Sequence, residues 1–197
     1  MTPIVLATTS RHKIAEYQSI MADIPGLGWT IQPWTTMPPE IEENGKSFLE
    51  NSMLKARYYA QFTQYPLIAD DSGLEIDALH GEPGIYSARY RGDNTSYQER
   101  FDYILQQMAH LPVERRTARY VCVISFISGE QVITATGYCT GIISFKPAGN
   151  HGFGYDPIFF IPDHQCTMAE LDTSHKNRLS HRYHAMMNLV TQWRQSI

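Results

Sequence analysis

The chain of 197 residues lacks several features that would assign it to other classes of protein. No apolar run nears the ~18 residues of a membrane-spanning helix, and Met1–Ala7 is too short and lacks the basic start of a signal peptide. The chain has 16 Lys and Arg against 20 Asp and Glu, so its net charge is −4. It therefore lacks the excess of basic residues that a protein needs to coat a nucleic-acid polymer. These absences predict a cytoplasmic protein that binds neither a membrane nor a nucleic-acid polymer.

Cysteine is scarce as well. Cys122, Cys139 and Cys166 are an odd number without Cys-x-x-Cys spacing, and the first two lie in apolar runs typical of strands. We therefore expect buried thiols in a reducing compartment, and neither disulfides nor a zinc site.

The composition present is that of an ordinary globular protein, with 43% hydrophobic and 18% charged residues. The length suffices to bury most of the apolar surface in one domain or in two closely joined lobes. No repeat, low-complexity run or clear linker interrupts the sequence. We expect one domain over residues 1–197.

Apolar runs of strand length alternate with segments of helical spacing. Five runs have the length and the β-branched or aromatic content of strands: Ile4–Ala7, Leu67–Ala69, Tyr120–Ile127, Gln131–Tyr138 and Pro157–Ile161. Helices are expected after Ser10 and at three capping boxes, Ser47/Glu50, Ser96/Glu99 and Thr167/Glu170. This order predicts an α/β fold, a mixed sheet flanked by helices.

Periodicity predicts which face of two helices is buried. After Ser47 the apolar stripe is Leu49, Met53, Ala56 and Ala60. Asn51 and Lys55 then share a different face. In the C-terminal helix the predicted stripe is Leu179, Tyr183, Met186, Val190 and Trp193, with His181 and Arg182 off it.

Adjacent carboxylates at Asp70 and Asp71 follow the apolar run Leu67–Ala69. Such neighbours at the end of a strand repel each other, and Mg²⁺ held jointly with substrate phosphates would remove the repulsion. Ser72 adds a hydrogen-bond donor, and Gly73 allows close backbone approach. The alternative is a strand followed by an ordinary turn, where Asp and Ser are common. This segment alone leaves both interpretations open.

The segment Thr8-Thr9-Ser10-Arg11-His12-Lys13 lies where the first strand passes into a helix. Free amides at a helix N-terminus favour anions, and hydroxyls with Lys13 suit a triphosphate. A Ser N-cap followed by a solvated Lys explains the same residues.

Glu42 and Glu43 precede the helix that carries Lys55. The two acids suit a metal shell and the lysine suits a phosphate. Acids before a helix also simply favour its dipole.

Glycines flank Phe153 in the segment Gly152–Pro157. An aromatic ring exposed there suits a base, since stacking contributes ~1–3 kcal/mol per base, and Asp156 offers an acceptor. A tight turn closed by Pro157 is the alternative.

Basic residues and histidines crowd the segment Ser174–Arg182. They suit an anion and a carbonyl group, although such a run is usually a solvated charged face.

Together these segments resemble the inosine triphosphate pyrophosphatase family, whose members are also called XTP/dITP diphosphatases. The resemblance spans nearly the whole chain in order. It is carried by Thr8–Lys13, Glu43–Phe48 with Asn51 and Lys55, Asp70–Gly73, Gly81–Arg89, Gly152–Pro157 and Ser180–Arg182. Two departures are Ser10, where the family usually has Asn, and His175, where an acid is frequent.

The resemblance implies a role for each matching residue. Asp71 matches the catalytic acid, which is proton acceptor and metal ligand, with Asp70 close by. Glu43 matches the other metal-linked acid, with its neighbour Glu42 as the open alternative. The residues matching substrate contacts are Thr8, Thr9, Ser10, Arg11, His12, Lys13, Lys55, Ser72, Phe153, Gly154, Tyr155, Asp156, Lys176, His181 and Arg182. Among them, Lys13, Lys55 and Lys176 match phosphate-binding lysines, Phe153–Asp156 the base-binding turn, and His181 and Arg182 the purine-edge contacts.

The resemblance also implies an activity and its requirements. The reaction is hydrolysis of ITP, dITP or XTP to the monophosphate and pyrophosphate with Mg²⁺, in a homodimer whose two-lobed subunits hold the active site in a cleft. A related pyrophosphatase acting on modified pyrimidine or 7-methylguanosine triphosphates is the first alternative. A nucleotide sensor without catalysis is the second, which Asp70, Asp71 and Lys55 argue against.

Overall fold

A mixed sheet of seven strands organises this computed structural model, which describes residues 1–196. The strands are β1 (Thr2–Leu6), β2 (Trp29–Ile31), β3 (Leu67–Ile76), β4 (Thr117–Ser128), β5 (Gln131–Ile143), β6 (Phe159–Ile161) and β7 (Cys166–Thr167). Their order is β2-β1-β3-β4-β5-β6-β7. β1 runs parallel to β2 and β3, whereas β6 is antiparallel to β5 and β7. The predicted mixed α/β sheet is confirmed.

Polar caps begin four of the five α-helices in the described part of the chain, at Ser10, Ser47, Ser96 and Asp172. The helices are α1 (Arg11–Asp23), α2 (Phe48–Tyr59), α3 (Tyr97–Gln107), α4 (Thr173–Leu179) and α5 (His181–Gln195). The predicted box at Ser96 is complete, and the one at Thr167 closes a 3₁₀ turn. At Ser47 only half forms, because Glu50 accepts from the Lys46 N–H instead. No helix within the described residues is long and apolar enough to cross a membrane.

The chain divides into two compact units. The first unit comprises Met1–Asp71, Cys122–Gly137 and the chain from His181 onward, and the second comprises Ser72–Val121 and Tyr138–Ser180. The boundaries fall within β3, β4 and β5 and between α4 and α5. The single domain over residues 1–197 and the active-site cleft both stay predictions.

Each unit has its own apolar core. In the first unit, α1 and α5 pack with Ile4, Leu6 and Ile68, whereas α2 packs with alternate strand residues such as Val5 and Leu67. Because successive side chains of a strand point to opposite faces, α2 lies on the other face of β1 and β3 from α1 and α5. In the second unit, the core gathers side chains of α3, β5 and β6. Cys122 and Cys139 are buried as free thiols, as predicted.

The strand β3 continues through the two acids, which corrects the prediction that it ends before Asp70. It runs on to Ile76, beyond its pairing with β1 at Leu67 and Ile68, so Asp70 and Asp71 lie within a strand of the sheet and are buried. Side-chain partners, and not a turn, satisfy these carboxylates. The partners come from helices distant in sequence, so local pattern does not show them.

The buried face of α2 agrees with the predicted one at Ala56 and otherwise differs from it. Leu49 is 47% exposed, whereas Asn51, Ser52 and Lys55 are buried. Each of these polar groups has a partner inside the first unit, for example the Ser125 hydroxyl at 2.9 Å from that of Ser52. Hydrogen bonding to these partners removes most of the free-energy cost of burying polar groups. The apolar stripe therefore does not decide which face of α2 turns towards the sheet.

The predicted C-terminal helix is broken at Ser180 into α4 and α5. Its buried stripe differs from the predicted one, since it consists of His181, Arg182, Ala185, Met186, Leu189 and Val190. The position of Arg182 off the core was therefore predicted wrongly. Its charge is buried because acidic partners lie beside it.

Gly137 on β5 lets the strand approach α5 backbone to backbone. A Cβ at this position would overlap the amide nitrogen of Ala185 and the carbonyl oxygen of His181. We expect Gly137→Ala to lower the free energy of unfolding by about 1–3 kcal/mol or more, because backbone atoms cannot rotate away. Urea unfolding would measure the change, with Val132→Ala on the exposed side of β5 as the control. Equal denaturation midpoints for both variants would contradict the close approach.

Candidate active site

Asp70 and Asp71 are adjacent in β3 but face opposite sides of the sheet. The partners of Asp70 include Lys13 of α1, Arg182 of α5 and the Cys122 thiol. Those of Asp71 include Asn51 and Lys55 of α2, on the other side. The repulsion that the sequence suggested is thus relieved in the fold by two separate sets of cationic or amide partners.

The Asp70 carboxylate belongs to a buried chain of charges. Lys13 Nζ lies 3.0 Å from its oxygens, and Arg182 Nε donates to Oδ2 at 3.3 Å. The guanidinium NH1 of Arg182 also donates to Glu16 Oε2 at 2.9 Å. Burial opposes ionisation of Asp70, but Lys13 and Arg182 outweigh it and hold the pKa of Asp70 well below its usual range. Asp70 is therefore a fixed anion.

The Asp71 carboxylate has a different environment. Asn51 Nδ2 donates to Oδ2 at 3.0 Å, and Lys55 Nζ lies 3.8 Å from Oδ1. Burial, with the charge of Glu43, raises the pKa of Asp71 above its usual value despite Lys55. Environments that move the pKa values of two carboxyls apart mark the more basic one, Asp71, as the better proton acceptor.

Lys55 joins Asp71 to Glu43, whose Oε2 accepts from Lys55 Nζ at 2.9 Å. Burial lowers the pKa of Lys55, but the charges of Asp71, Asp70 and Glu43 outweigh it and the pKa rises. Lys55 therefore stays a cation. Glu43 makes this contact, whereas Glu42 is exposed.

The carboxylates of Glu43 and Asp71, which both lie beside Lys55, are the candidate metal ligands. Within residues 1–196 no group of three or more His, Cys, Asp or Glu side chains is arranged to hold one. Mg²⁺ in nucleotide sites is usually held by one or two carboxylates together with substrate phosphates. The donor set of Glu43 and Asp71 fits Mg²⁺ bound in that way, and does not fit a cage made by protein alone.

The segment Thr8–Lys13 forms the start of α1. Ser10 is the N-cap, since its hydroxyl accepts from the Lys13 N–H at 3.4 Å, and Thr8 Oγ1 accepts from the Ser10 N–H at 3.1 Å. Thr9 donates to Glu40, and Arg11 and His12 are exposed. Ser10, which stands where the family usually has Asn, thus serves as the N-cap of α1.

A second polar cluster lies in the second unit, around Asp156. Its carboxylate accepts from the Phe153 N–H at 2.8 Å, from Lys176 Nζ at 2.7 Å and from the Tyr120 hydroxyl at 3.1 Å. Lys176 Nζ is also 4.3 Å from the centre of the Phe153 ring. Lys176, which lies on α4, thus contacts the turn formed by Phe153–Asp156. Its role as a phosphate-binding lysine stays a prediction.

The remaining predicted residues have mixed positions. Tyr155 is a core residue whose hydroxyl donates to the Ser87 carbonyl at 2.9 Å. Gly154 has φ of +66°, which favours glycine there. Ser72 follows Asp71 on β3 and is half-buried, and His181 is buried at the start of α5.

Glu16, Asn51 and Tyr120 are buried and contact predicted site residues, but they were not themselves among the predicted ones. Glu16 follows Lys13 by three positions on α1, so helical spacing to Lys13 is the one signal that pointed to it. Asn51 was noted only for its face and for the resemblance. Tyr120 lies in an apolar strand run, and its contact with Asp156 has no sequence signal.

These features define an α/β protein with two carboxylates in a buried strand, lysines of the flanking helices beside them, and an aromatic turn on a second unit. Within that class, the chain belongs to the Ham1 family, whose profile matches residues 4–192. The resemblance indicated by the sequence is confirmed.

Relatives cover nearly the whole chain. A dITP/XTP pyrophosphatase of Shouchella clausii is 45% identical over 192 residues, which are 96% of this chain and 95% of the relative. The solved structure of a HAM1 protein from Coxiella burnetii is 40% identical with a TM-score of 0.86, covering 99% of this chain and 100% of that one. A nucleoside-triphosphatase / dITP/XTP pyrophosphatase from Mycobacterium abscessus is 33% identical with a TM-score of 0.76, covering 98% and 100%.

The buried charge chain makes Arg182 important for stability. We expect Arg182→Ala to lower the free energy of unfolding by on the order of 3–5 kcal/mol, because Asp70 and Glu16 lose a buried cation. Chemical denaturation would measure this loss. Arg178→Ala, an exposed arginine on α4, is the matched control and should change stability within about 0.5 kcal/mol. A loss for Arg182→Ala no larger than the control's would show that the charge chain contributes little.

Proposed function

We propose that this protein hydrolyses the non-standard purine nucleoside triphosphates ITP, dITP and XTP to the monophosphate and pyrophosphate, which removes them from the nucleotide pool. The observation that carries the proposal is the Asp71–Lys55–Glu43 cluster, in which the buried, basic Asp71 carboxylate lies beside the buried Lys55 cation and a half-buried second acid. Relatives named dITP/XTP pyrophosphatase support the substrate class. Nothing among their names supports the alternative of modified pyrimidine or 7-methylguanosine triphosphates.

Asp71 is the proton acceptor in this proposal. It takes a proton from the water that attacks the α-phosphorus, and the bond from that phosphorus to the bridging oxygen breaks so that pyrophosphate leaves. On substrate binding, Lys13 gives up part of its contact with Asp70, and Lys55 part of its contact with Glu43, and both donate to phosphate oxygens instead. Their positive charge stabilises the negative charge that develops on the leaving group.

Glu43 and Asp71 are the residues that would hold Mg²⁺. When bound, the ion supplies positive charge to the phosphates and lowers the pKa of a coordinated water. Asp70 stays ionised and orients Lys13 and Arg182, so its role is to position the cations of the first unit. Glu42 is exposed and does not belong to the proposed metal shell.

Base selection is assigned to the second polar cluster. The Phe153 ring offers a stacking face, and Lys176 and Asp156 offer a donor and an acceptor. Inosine and xanthosine carry a 6-oxo group where adenine has an amine, and both lack the 2-amino group of guanine. A site that pairs with the 6-oxo group rejects ATP because buried donors would be left unmatched. His181 and Arg182 stay the predicted contacts of the purine edge.

A cytoplasmic location and a homodimer belong to the same proposal. The location is the prediction made from the sequence itself, whereas the homodimer is implied by the family resemblance. The loop Pro83–Tyr90 and the apolar residues beyond it are the suggested dimer contact.

Metal removal and a substrate panel test the proposal. We expect pyrophosphate release from ITP, dITP and XTP to disappear in EDTA and to return with Mg²⁺, while ATP and GTP remain poor substrates. Colorimetric or coupled pyrophosphate assays would measure the rates. Undiminished hydrolysis in chelator would remove Glu43 and Asp71 from the metal role, and equal rates for ATP and ITP would overturn the substrate class.

Asp71→Asn tests the proton acceptor. The variant keeps the shape of the side chain but loses its basicity and one charge, so we expect kcat for ITP to fall by a factor on the order of 10²–10⁴. Asp102→Asn, which changes an exposed acid on α3, is the control and should keep wild-type kcat. If Asp71→Asn turns over ITP at a near-normal rate, another acid is the base.

A further inference from the structure

The side chain of Asn51 on α2 bonds to two parts of the first unit: to the backbone of the segment before the helix and to an acid of β3. Among the contacts described, no other residue of α2 does both. Asn51 is fully buried. Its Oδ1 accepts from the Gly45 N–H at 2.8 Å, and its Nδ2 donates to Asp71 Oδ2 at 3.0 Å. The orientation of the amide is fixed, because the reverse orientation would place an oxygen against the carboxylate and an NH₂ group against an N–H.

Gly45 makes this contact possible. A Cβ on residue 45 would lie 2.6 Å from Asn51 Oδ1 and 2.8 Å from Glu50 Cβ, closer than side-chain atoms approach. Gly45 follows Glu43 by two positions, and Glu43 holds Lys55. Asn51 therefore ties the segment that carries Glu43 to the strand that carries Asp71.

The same amide fixes how the Asp71 carboxylate is turned. With Oδ2 bonded to Asn51, the other oxygen, Oδ1, is directed towards Lys55 Nζ at 3.8 Å. Lys55 in turn holds Glu43, so Oδ1 of Asp71 and the Glu43 carboxylate are oriented around one ammonium group. A carboxylate without the amide bond would rotate and share the lysine differently.

We propose that Asn51 is a positioning residue, which holds Asp71 and the Glu43 segment in the arrangement needed to bind a divalent cation together with the substrate phosphates. This inference rests on the proposed function. Asn51 touches neither the substrate nor the attacking water, and acts through Asp71 and Gly45. Residues that orient metal-binding carboxylates typically contribute about 10- to 100-fold to metal affinity or activity.

The neighbouring residue Ser52 provides a control for buried hydrogen bonding alone. It is equally buried and bonds to Ser125, but it contacts neither acid. Ser52→Ala therefore removes a buried hydrogen bond of α2 without touching the orientation of Asp71.

Two variants disturb the Asn51 bridge from its two ends. Asn51→Leu keeps similar volume and loses both hydrogen bonds, whereas Gly45→Ala keeps every polar group and displaces the amide by steric contact. At saturating Mg²⁺ we expect kcat for ITP to fall about 10- to 100-fold in Asn51→Leu, and less in Gly45→Ala. The Mg²⁺ concentration for half-maximal rate should rise in both, while KM for ITP stays within about twofold, because Asn51 does not bind the substrate.

Mn²⁺ binding gives a measurement that does not depend on turnover. Electron paramagnetic resonance of free Mn²⁺, titrated with protein and an ITP analogue carrying a methylene between the α- and β-phosphorus atoms, should show weaker binding in Asn51→Leu and Gly45→Ala than in wild type. Ser52→Ala should match wild type in both assays. Circular dichroism confirms that each variant is folded, and if Asn51→Leu does not fold, Gly45→Ala decides the question.

The inference is overturned if the folded Asn51 and Gly45 variants keep wild-type kcat and Mn²⁺ affinity, or if Ser52→Ala loses as much as they do. Failure of the proposed function looks different. Wild-type protein would then release no pyrophosphate from ITP with Mg²⁺, and the Mn²⁺ titration would still compare the variants.

Discussion

The structure depends on the burial of two adjacent carboxylates in the middle of a strand. Ionised groups in the interior are costly unless each has a partner, and Asp70 and Asp71 obtain theirs from opposite faces of β3. This requirement sets the positions of α1 and α5 on one face and of α2 on the other. The helices are therefore held by charge as well as by apolar packing, and charge turns the polar side of α2 inwards.

The same constraint gives the two acids different chemistry. Asp70, between Lys13 and Arg182, is a stable anion that organises cations. Asp71 is buried with an amide and one lysine beside it, together with the charge of Glu43, and is the more basic group. A single strand thus supplies a structural anion and a proton acceptor in consecutive residues, because alternation along the strand separates their surroundings.

The second polar cluster follows the same rule on its own unit. Asp156 is satisfied by a tyrosine hydroxyl, a lysine and a backbone amide at once, and this fixes the turn that presents Phe153. Gly152 has φ of +76°, and a side chain there would collide with the Asp156 carboxylate. The turn is therefore shaped by one buried acid, much as α2 is shaped by Asp71.

Capping residues, strand runs and family motifs were readable from the sequence because they are local. Ser96 with Glu99 sets a helix start, and Asp70-Asp71-Ser72-Gly73 carries part of the family resemblance whatever surrounds it. The buried face of α2 and the position of Arg182 were predicted wrongly, because apolar periodicity assumes that charges face solvent. Only the tertiary structure decided that Arg182 lies between Asp70 and Glu16 and that Asn51 bridges Gly45 to Asp71. The physical reason is that a buried polar group is tolerated only with its partner, and the partners here are 6 to 166 positions away along the chain.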